Sequence, residues 1–255
     1  MFQDGEKVRL LDVDPDLGTG LDARSAEQAR LRLVVPAIRL ERGERDLESL
    51  LADPDVHVGL LVVDGLLIRD VAIGETACAE LIGEGDVLRP WEDIGAAAPV
   101  PSKVRWRVLE PARLALIERR LIRAAAVWPE IVTALINRAV ARAQTLAIAL
   151  AISCITGLKL RLLVLLWHLA DRFGRVGPTG VSVPVPLTHE VVARLVGATR
   201  PSVSTALKEL ADEGLLTRRP GGGFMLHGEP PEMAQLLASR RLAGRRVRSG
   251  SAHAK

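Results

Sequence analysis

The chain has 255 residues, a formal net charge of +3, 48% hydrophobic residues and only 3% aromatic ones, with no tyrosine. That length provides ample chain for a core in one or two domains. Cys78 and Cys154 are too few for a disulfide framework or for the thiolate set of an iron–sulfur cluster, and each is read as a small buried residue.

Residues 1–30 are polar, with turns at Asp14-Pro15-Asp16 and Gly18 and a short helix predicted over 23–33. A polar, acidic N-terminus does not read as a signal peptide, so a cytoplasmic protein is expected. From 31 to 117 the text is β in character. Runs at 34–35, 37–40, 56–63, 66–73, 77–82, 104–109 and 114–117 are apolar or alternating, and Gly, Pro and Asp separate them. Short strands at even spacing predict a β-roll, that is a barrel or jelly roll. Asp64-Gly65, between two hydrophobic runs, predicts a hairpin turn. Arg89, Trp91 and Lys103 are candidate ligand-binding residues, against the plainer reading of solvated loop positions with one packed indole.

Residues 119–126 predict a short helix. Trp128-Pro129-Glu130 then opens a long one, since proline and an acid both suit a first helical turn. Val132, Ile136, Ala139, Ala143, Leu146 and Leu150 are spaced alternately by four and three, a coiled-coil seam. Small residues in its middle would let two helices approach closely. The competing reading packs this helix wholly on its own β-roll. The apolar run 145–158 covers fourteen residues, short of the roughly 20 a membrane span needs, so no membrane partner is expected. Gly157 breaks the helix and is read as a hinge. A further helix over 158–173 turns Leu162, Leu165, Leu166 and Leu169 inward, with His168 packed beside them. Residues 174–186 read as a loop or a β-hairpin.

Residues 187–226 read as two short helices, a tight turn and a two-strand wing. Thr188 is an N-cap, and Val191, Val192 and Leu195 form an apolar stripe. Gly197 ends the first helix, because glycine alone reaches positive φ cheaply. Thr199 caps the second helix, and Pro201 is tolerated in its first turn. Val203, Ala206, Leu207 and Leu210 face inward, leaving Arg200, Ser202, Thr205 and Lys208 outward. Such a pair is the helix-turn-helix arrangement, whose second helix enters the major groove. Residues 215–217 and 224–226 predict the wing strands, with Arg218 and Arg219 placed to reach a phosphate backbone. The charge agrees: residues 157–255 carry 15 Lys and Arg against 7 Asp and Glu, a net of +8, whereas residues 1–156 carry a net of −5. A terminal helix over 229–242 and a basic tail rich in arginine complete the chain. No P-loop, no His/Cys metal spacing and no Gly-x-Ser-x-Gly elbow occurs, so neither an enzyme nor a cofactor or metal site is expected.

The segments Thr188-His-Glu-Val-Val-Ala, Thr199-Arg-Pro-Ser-Val-Ser204 and Leu207-Lys-Glu-Leu210 resemble the winged helix of the Crp/Fnr transcription regulators. The resemblance implies that Arg200, Pro201 and Thr205 take the base-reading positions. Thr199, Ser202 and Lys208 take phosphate-facing ones, and Thr188, Ser204, Arg218 and Arg219 complete the DNA-binding set. Thr205 departs from the arginine usual at its position, so the usual half-site does not carry over. The first half resembles the cyclic-nucleotide-binding β-roll at Gly83-Glu-Gly-Asp86, but the Gly-Glu pair and the Arg with Ser or Thr that should follow are missing. The implied architecture is α+β. Residues 1–117 form a β-roll sensor, 118–157 a short helix and the dimerisation helix, 158–228 the winged helix-turn-helix and 229–255 the basic tail. The implied function is a homodimeric regulator that binds a near-palindromic operator in double-stranded DNA and engages RNA polymerase, under an unknown effector other than cyclic AMP. Two alternatives stay open: a ligand-independent architectural DNA-binding protein, and a small-molecule-binding protein with a vestigial DNA-binding domain.

Overall fold

The computed structural model describes residues 6–47, 56–90, 100–220 and 222–232. Two compact units divide the chain, residues 1–146 and 147–255. Trp91 and most of the predicted terminal helix and tail lie outside the described residues.

The first unit begins with β1 (Glu6–Arg9), α1 (Leu10–Val13), a 3-10 turn at Pro15–Gly18 and α2 (Ala23–Arg32). β1 is an element that the sequence reading missed. Only Val8 of its four residues is buried, so it carries almost no apolar signal. Asp22 caps α2, its carboxylate accepting from the amides of Arg24 and Ser25 at 3.0 Å. β2 (Val34–Leu40), β3 (Gly43–Arg45), β4 (His57–Ile73), β5 (Thr76–Gly83), β6 (Val87–Leu88) and β7 (Lys103–Glu118) follow. With β1 they make one antiparallel seven-stranded sheet in the order β1-β2-β7-β4-β5, with β3 on β7 and β6 on β4.

β4 is covered on both faces, and its sequence shows why. Leu60 and Val62 pack with Leu67, Ile82, Leu88 and Leu114, while Leu61 and Val63 pack with Leu10, Leu33, Ala115 and Ile117. A strand buried on both sides reads as a continuous apolar run, not as an alternation. The hairpin expected at Asp64-Gly65 is not there. β4 runs through it, and its register on β7 shifts on either side of Asp64. Gly65 has φ 90°, and a Cβ there would lie 2.3 Å from the Pro111 carbonyl oxygen. The position is therefore a β-bulge that only glycine fills. Pro111, which has no N–H for the ladder, sits opposite it, where a proline is tolerated. Asp64 locks the bulge by accepting from the Arg113 amide at 3.1 Å and from Arg113 Nε at 2.6 Å. The actual turn is Gly74-Glu75, between the paired Ile73 and Thr76. The runs 56–63 and 66–73 are thus one strand, as are 104–109 and 114–117.

α3 (Arg119–Ala125) leads to α4 (Pro129–Ser153). Ile131 and Leu135 of α4 are buried in the roll core with Trp128, and full burial of such side chains contributes about 1.5–3 kcal/mol each. Arg138 on the same side reaches Asp14 at 2.9 Å, and Arg142 holds Glu80 by two bonds of 2.6 and 2.8 Å. α4 is long and apolar enough to cross a membrane by length and composition, more so than its fourteen-residue apolar run indicates; the two arginines inside it bind roll carboxylates instead.

The second unit holds α5 (Leu158–Phe173), β8 (Arg175–Gly177), β9 (Gly180–Val183), α6 (His189–Val196), α7 (Arg200–Asp212), β10 (Leu216–Arg218) and β11 (Phe224–Leu226). Leu162, Leu165, Leu166 and Leu169 of α5 are buried, as their spacing predicts. Residues 175–183 resolve the loop-or-hairpin alternative as a hairpin. Its strands join the wing in a four-stranded sheet of order β10-β11-β9-β8. Both cysteines are exposed, against the burial expected of them. Cys78 lies on an exposed stretch of β5, and Cys154 follows the uncovered face at the end of α4.

Candidate nucleic-acid interface and dimer seam

α6 starts where its chemistry says it should. Thr188 has an extended backbone and its hydroxyl accepts from the Val191 amide at 3.2 Å. Gly197 ends the helix at φ 63°, ψ 48°, the left-handed conformation. Two residues later α7 begins at Arg200 with Pro201 in its first turn. The Thr199 and Ser202 hydroxyls pair at 2.9 Å across that turn. Val203, Ala206, Leu207 and Leu210 are buried, and they hold α7 by its inner face.

The outer face carries Arg200, Pro201, Ser202, Thr205 and Lys208, all exposed. The Thr205 hydroxyl donates to the Pro201 carbonyl at 3.3 Å, which leaves its lone pairs to accept from a base amine. Ser204 is different: it is half-buried, donates to the Arg200 carbonyl at 3.0 Å and pairs with His189 Nδ1 at 2.8 Å. The two wing arginines also part company. Arg218 is exposed, with its guanidinium 5.7 Å from the Phe224 ring centre. Arg219 turns back onto the buried Ser182 of β9.

Two groups at this face escaped the sequence reading. His189 opens α6, and its pKa is lowered, first by burial and then by Arg218 and Arg200. Only the fold brings Ser204, fifteen positions on, against it. Arg161 of α5 makes three hydrogen bonds, from Nε and Nη2 to the Ile155 carbonyl and from Nη1 to the Val196 carbonyl, at 2.8–3.0 Å. An arginine among leucines was the one signal for it. His168 is half-buried in α5, and burial lowers its pKa, with Asp171 opposing the shift and Arg172 adding to it.

The seam positions of α4 lie on its uncovered face. Ile136, Ala139, Ala143, Leu146 and Leu150 are exposed, Ile136 by 58% and Leu150 by 67%. Val140 flanks this stripe, and Ile148, two positions from both Leu146 and Leu150, is exposed on the other side of the helix. Val132 is the exception, packed partly against the roll core. An apolar stripe of this length beside the roll-facing side of a helix is the kind of exposed patch that association covers.

Of the ligand candidates, Arg89 and Lys103 are both exposed and Trp91 lies outside the described residues. The roll instead places a polar row across four strands, in which Glu80 pairs with Arg69, Arg69 with Trp106 and Trp106 with Arg45. Arg69 stands 5.9 Å from the Trp106 ring centre, and Arg142 closes the row at Glu80.

Residues 160–229 match the Crp-like helix-turn-helix domain family. A stretch of 62 residues is 39% identical to the regulatory protein CysR of Synechococcus elongatus, covering 23% of this chain and 30% of that protein. Among solved structures, a CooA variant from Carboxydothermus hydrogenoformans matches with a TM-score of 0.57 over 92% of this chain and 95% of its own, at 15% identity. TTHB099, a transcriptional regulator of the CRP family from Thermus thermophilus, matches with a TM-score of 0.54 over 81% and 96%, at 21% identity. At such identities the structural likeness is one of fold.

Proposed function

We propose that this chain, a Crp/Fnr-type transcription regulator by its helix-turn-helix domain and its fold, binds a near-palindromic operator as a parallel homodimer. The observation that carries this reading is the outer face of α7. Arg200, Ser202, Thr205 and Lys208 stand exposed there on a helix whose inner face is fully packed. Arginine and lysine suit guanine edges and phosphates, and hydroxyls suit either. A single module of this kind buries only about 600–1,000 Å² on DNA, too little for strong specificity, so two copies are needed. The uncovered stripe of α4 supplies the pairing surface. A parallel helix pair gives the complex two-fold symmetry, which calls for half-sites about 34–36 Å apart.

The roll serves as the sensor. Its effector is not a cyclic nucleotide, because no Gly-Glu pair stands in the segment that follows Asp86. RNA polymerase is the partner expected of a regulator bound at a promoter, and the target places the protein in the cytoplasm. The test selects a duplex from a random pool with the purified protein, then measures footprint and mass. Two-fold protection by a species of twice the chain mass is expected. A monomer that protects a single half-site tightly would remove the dimer, and no enrichment at all would remove the DNA-binding reading.

A further inference from the structure

We propose that His189 is a further DNA-backbone contact of this domain, one that engages a phosphate only as the imidazolium, so that DNA binding takes up a proton. This inference rests on the DNA-binding reading above and adds to it a residue and a linkage.

The geometry carries it through the tautomer. Ser204 has one hydroxyl hydrogen, and that hydrogen goes to the Arg200 carbonyl at 3.0 Å. Ser204 Oγ therefore meets His189 Nδ1, 2.8 Å away, as an acceptor, and Nδ1 must carry the ring proton. In the neutral ring the remaining nitrogen, Nε2, is then a bare lone pair. A lone pair repels a phosphate oxygen and cannot donate to it. Protonation of Nε2 turns the same atom into a charged donor, of the kind that makes the shorter and stronger hydrogen bonds to phosphate.

The surroundings set when that happens. Arg200 and Ser204 face His189 from α7 and Arg218 faces it from β10. On α6 its neighbours are Thr188, whose hydroxyl is engaged as the cap, and Glu190, paired with Arg194 at 2.6 Å. Burial and the two guanidiniums keep the free protein's ring neutral near pH 7. Duplex DNA reverses the balance, because its phosphates offset the charge of Arg200 at the bases and of Arg218 at the backbone and so favour a third positive charge beside them. The group's pKa is thus lowered in the free protein and raised in the complex. The affinity it adds is fully present below the free value and is lost as pH rises through the value in the complex. The window opens below 6.5, where the free protein's ring titrates, and extends upward from there.

The experiment is fluorescence anisotropy on the duplex that the full chain itself enriches from a random pool, read across that window at fixed salt. Wild-type affinity is expected to fall as pH rises, approaching about tenfold per pH unit for each proton taken up. His189→Gln should flatten most of this slope. His189→Arg should flatten it too, while holding at the alkaline end the affinity that wild type shows at the acid end. Ser204→Ala frees the tautomer and lets the neutral ring donate through Nε2, and should shrink the slope. A purely structural role for Ser204 would lower affinity at every pH alike. His227, whose two ring nitrogens pair with Thr217 and the Thr179 carbonyl, remains in all three variants as an internal control. Thermal melts confirm that each variant is folded. A His189→Gln protein that binds with the wild-type slope overturns the inference while leaving DNA binding intact. A wild-type protein that enriches no duplex at any pH overturns the DNA-binding reading, and this inference with it.

Discussion

Arg200 and Arg218 are alike in charge and different in what holds them. Arg200 opens α7 on its outer face, above a core of Val203, Ala206 and Leu207. Arg218 stands at the end of β10 against the Phe224 ring. A guanidinium fixed at the entrance of a recognition helix discriminates a base, whereas one on a wing strand serves a phosphate. Arg200→Ala should therefore lower the ratio of specific to non-specific affinity by about 1–3 kcal/mol per half-site contact. Arg218→Ala should weaken both kinds of binding together. Competition titrations with a selected duplex and a scrambled one decide the matter, and an unchanged ratio for Arg200→Ala would displace it from the base-reading role. Much at this scale was legible in the letters alone: the Thr188 cap, the left-handed Gly197 and the inward set on α7 are local consequences of residue type. Ser204 and Arg219 were not so legible. Their partners, His189 and Ser182, are far away in sequence and near only in the folded domain.

Among the elements, α4 divides its two faces cleanly. One is committed to the roll through Ile131, Leu135, Arg138 and Arg142, and the other leaves Ile136, Ala139, Ala143 and Leu146 in water. Ala143→Glu would place like charges opposite each other in a paired seam, where an unmatched buried charge is strongly destabilising. The expected result is a monomer by light scattering that gives no shift on a palindromic duplex. Circular dichroism should meanwhile show the winged helix still folded. A mutant that remains dimeric would strike this seam from the protein. Exposed Cys154 offers a second check, since it follows the seam residue Leu150 by four and stands one residue past the end of α4. Parallel pairing brings it near its own copy, so a mild oxidant should cross-link the dimer in wild type and in Cys78→Ser but not in Cys154→Ser. The seam was readable because helical spacing is a local code. β4 was misread because Asp64-Gly65 is chemically a good turn, and only Pro111, some forty-six positions on, makes it a bulge.

For the molecule as a whole, the division of charge matches the division of labour. The acidic first part is built on a roll, and the basic last part carries the reading head. The roll's interior row of Arg69, Glu80 and Trp106, closed by Arg142, could not be foreseen from spacing, because it is assembled from three strands and a helix. With no Gly-Glu pair in the segment after Asp86, the chain lacks the motif with which a helix N-terminus of that kind cradles a cyclic phosphate. Titration calorimetry should find no saturable site for cyclic AMP or cyclic GMP. A micromolar site for either would reverse this account of the sensor.

Gly157 reads as a joint, and with φ 90° and no atom within 4 Å of where its Cβ would be, it has the freedom of one. Arg161 takes that freedom back. Its backbone N–H binds the Gly157 carbonyl at 3.1 Å, and its guanidinium grips Ile155 on one side of the glycine and the last turn of α6 on the other. In mechanical terms the elbow is splinted. A twist applied at Ile155 reaches Val196, and so the turn that aims α7, through one rigid planar group instead of being lost as slack in a swivel.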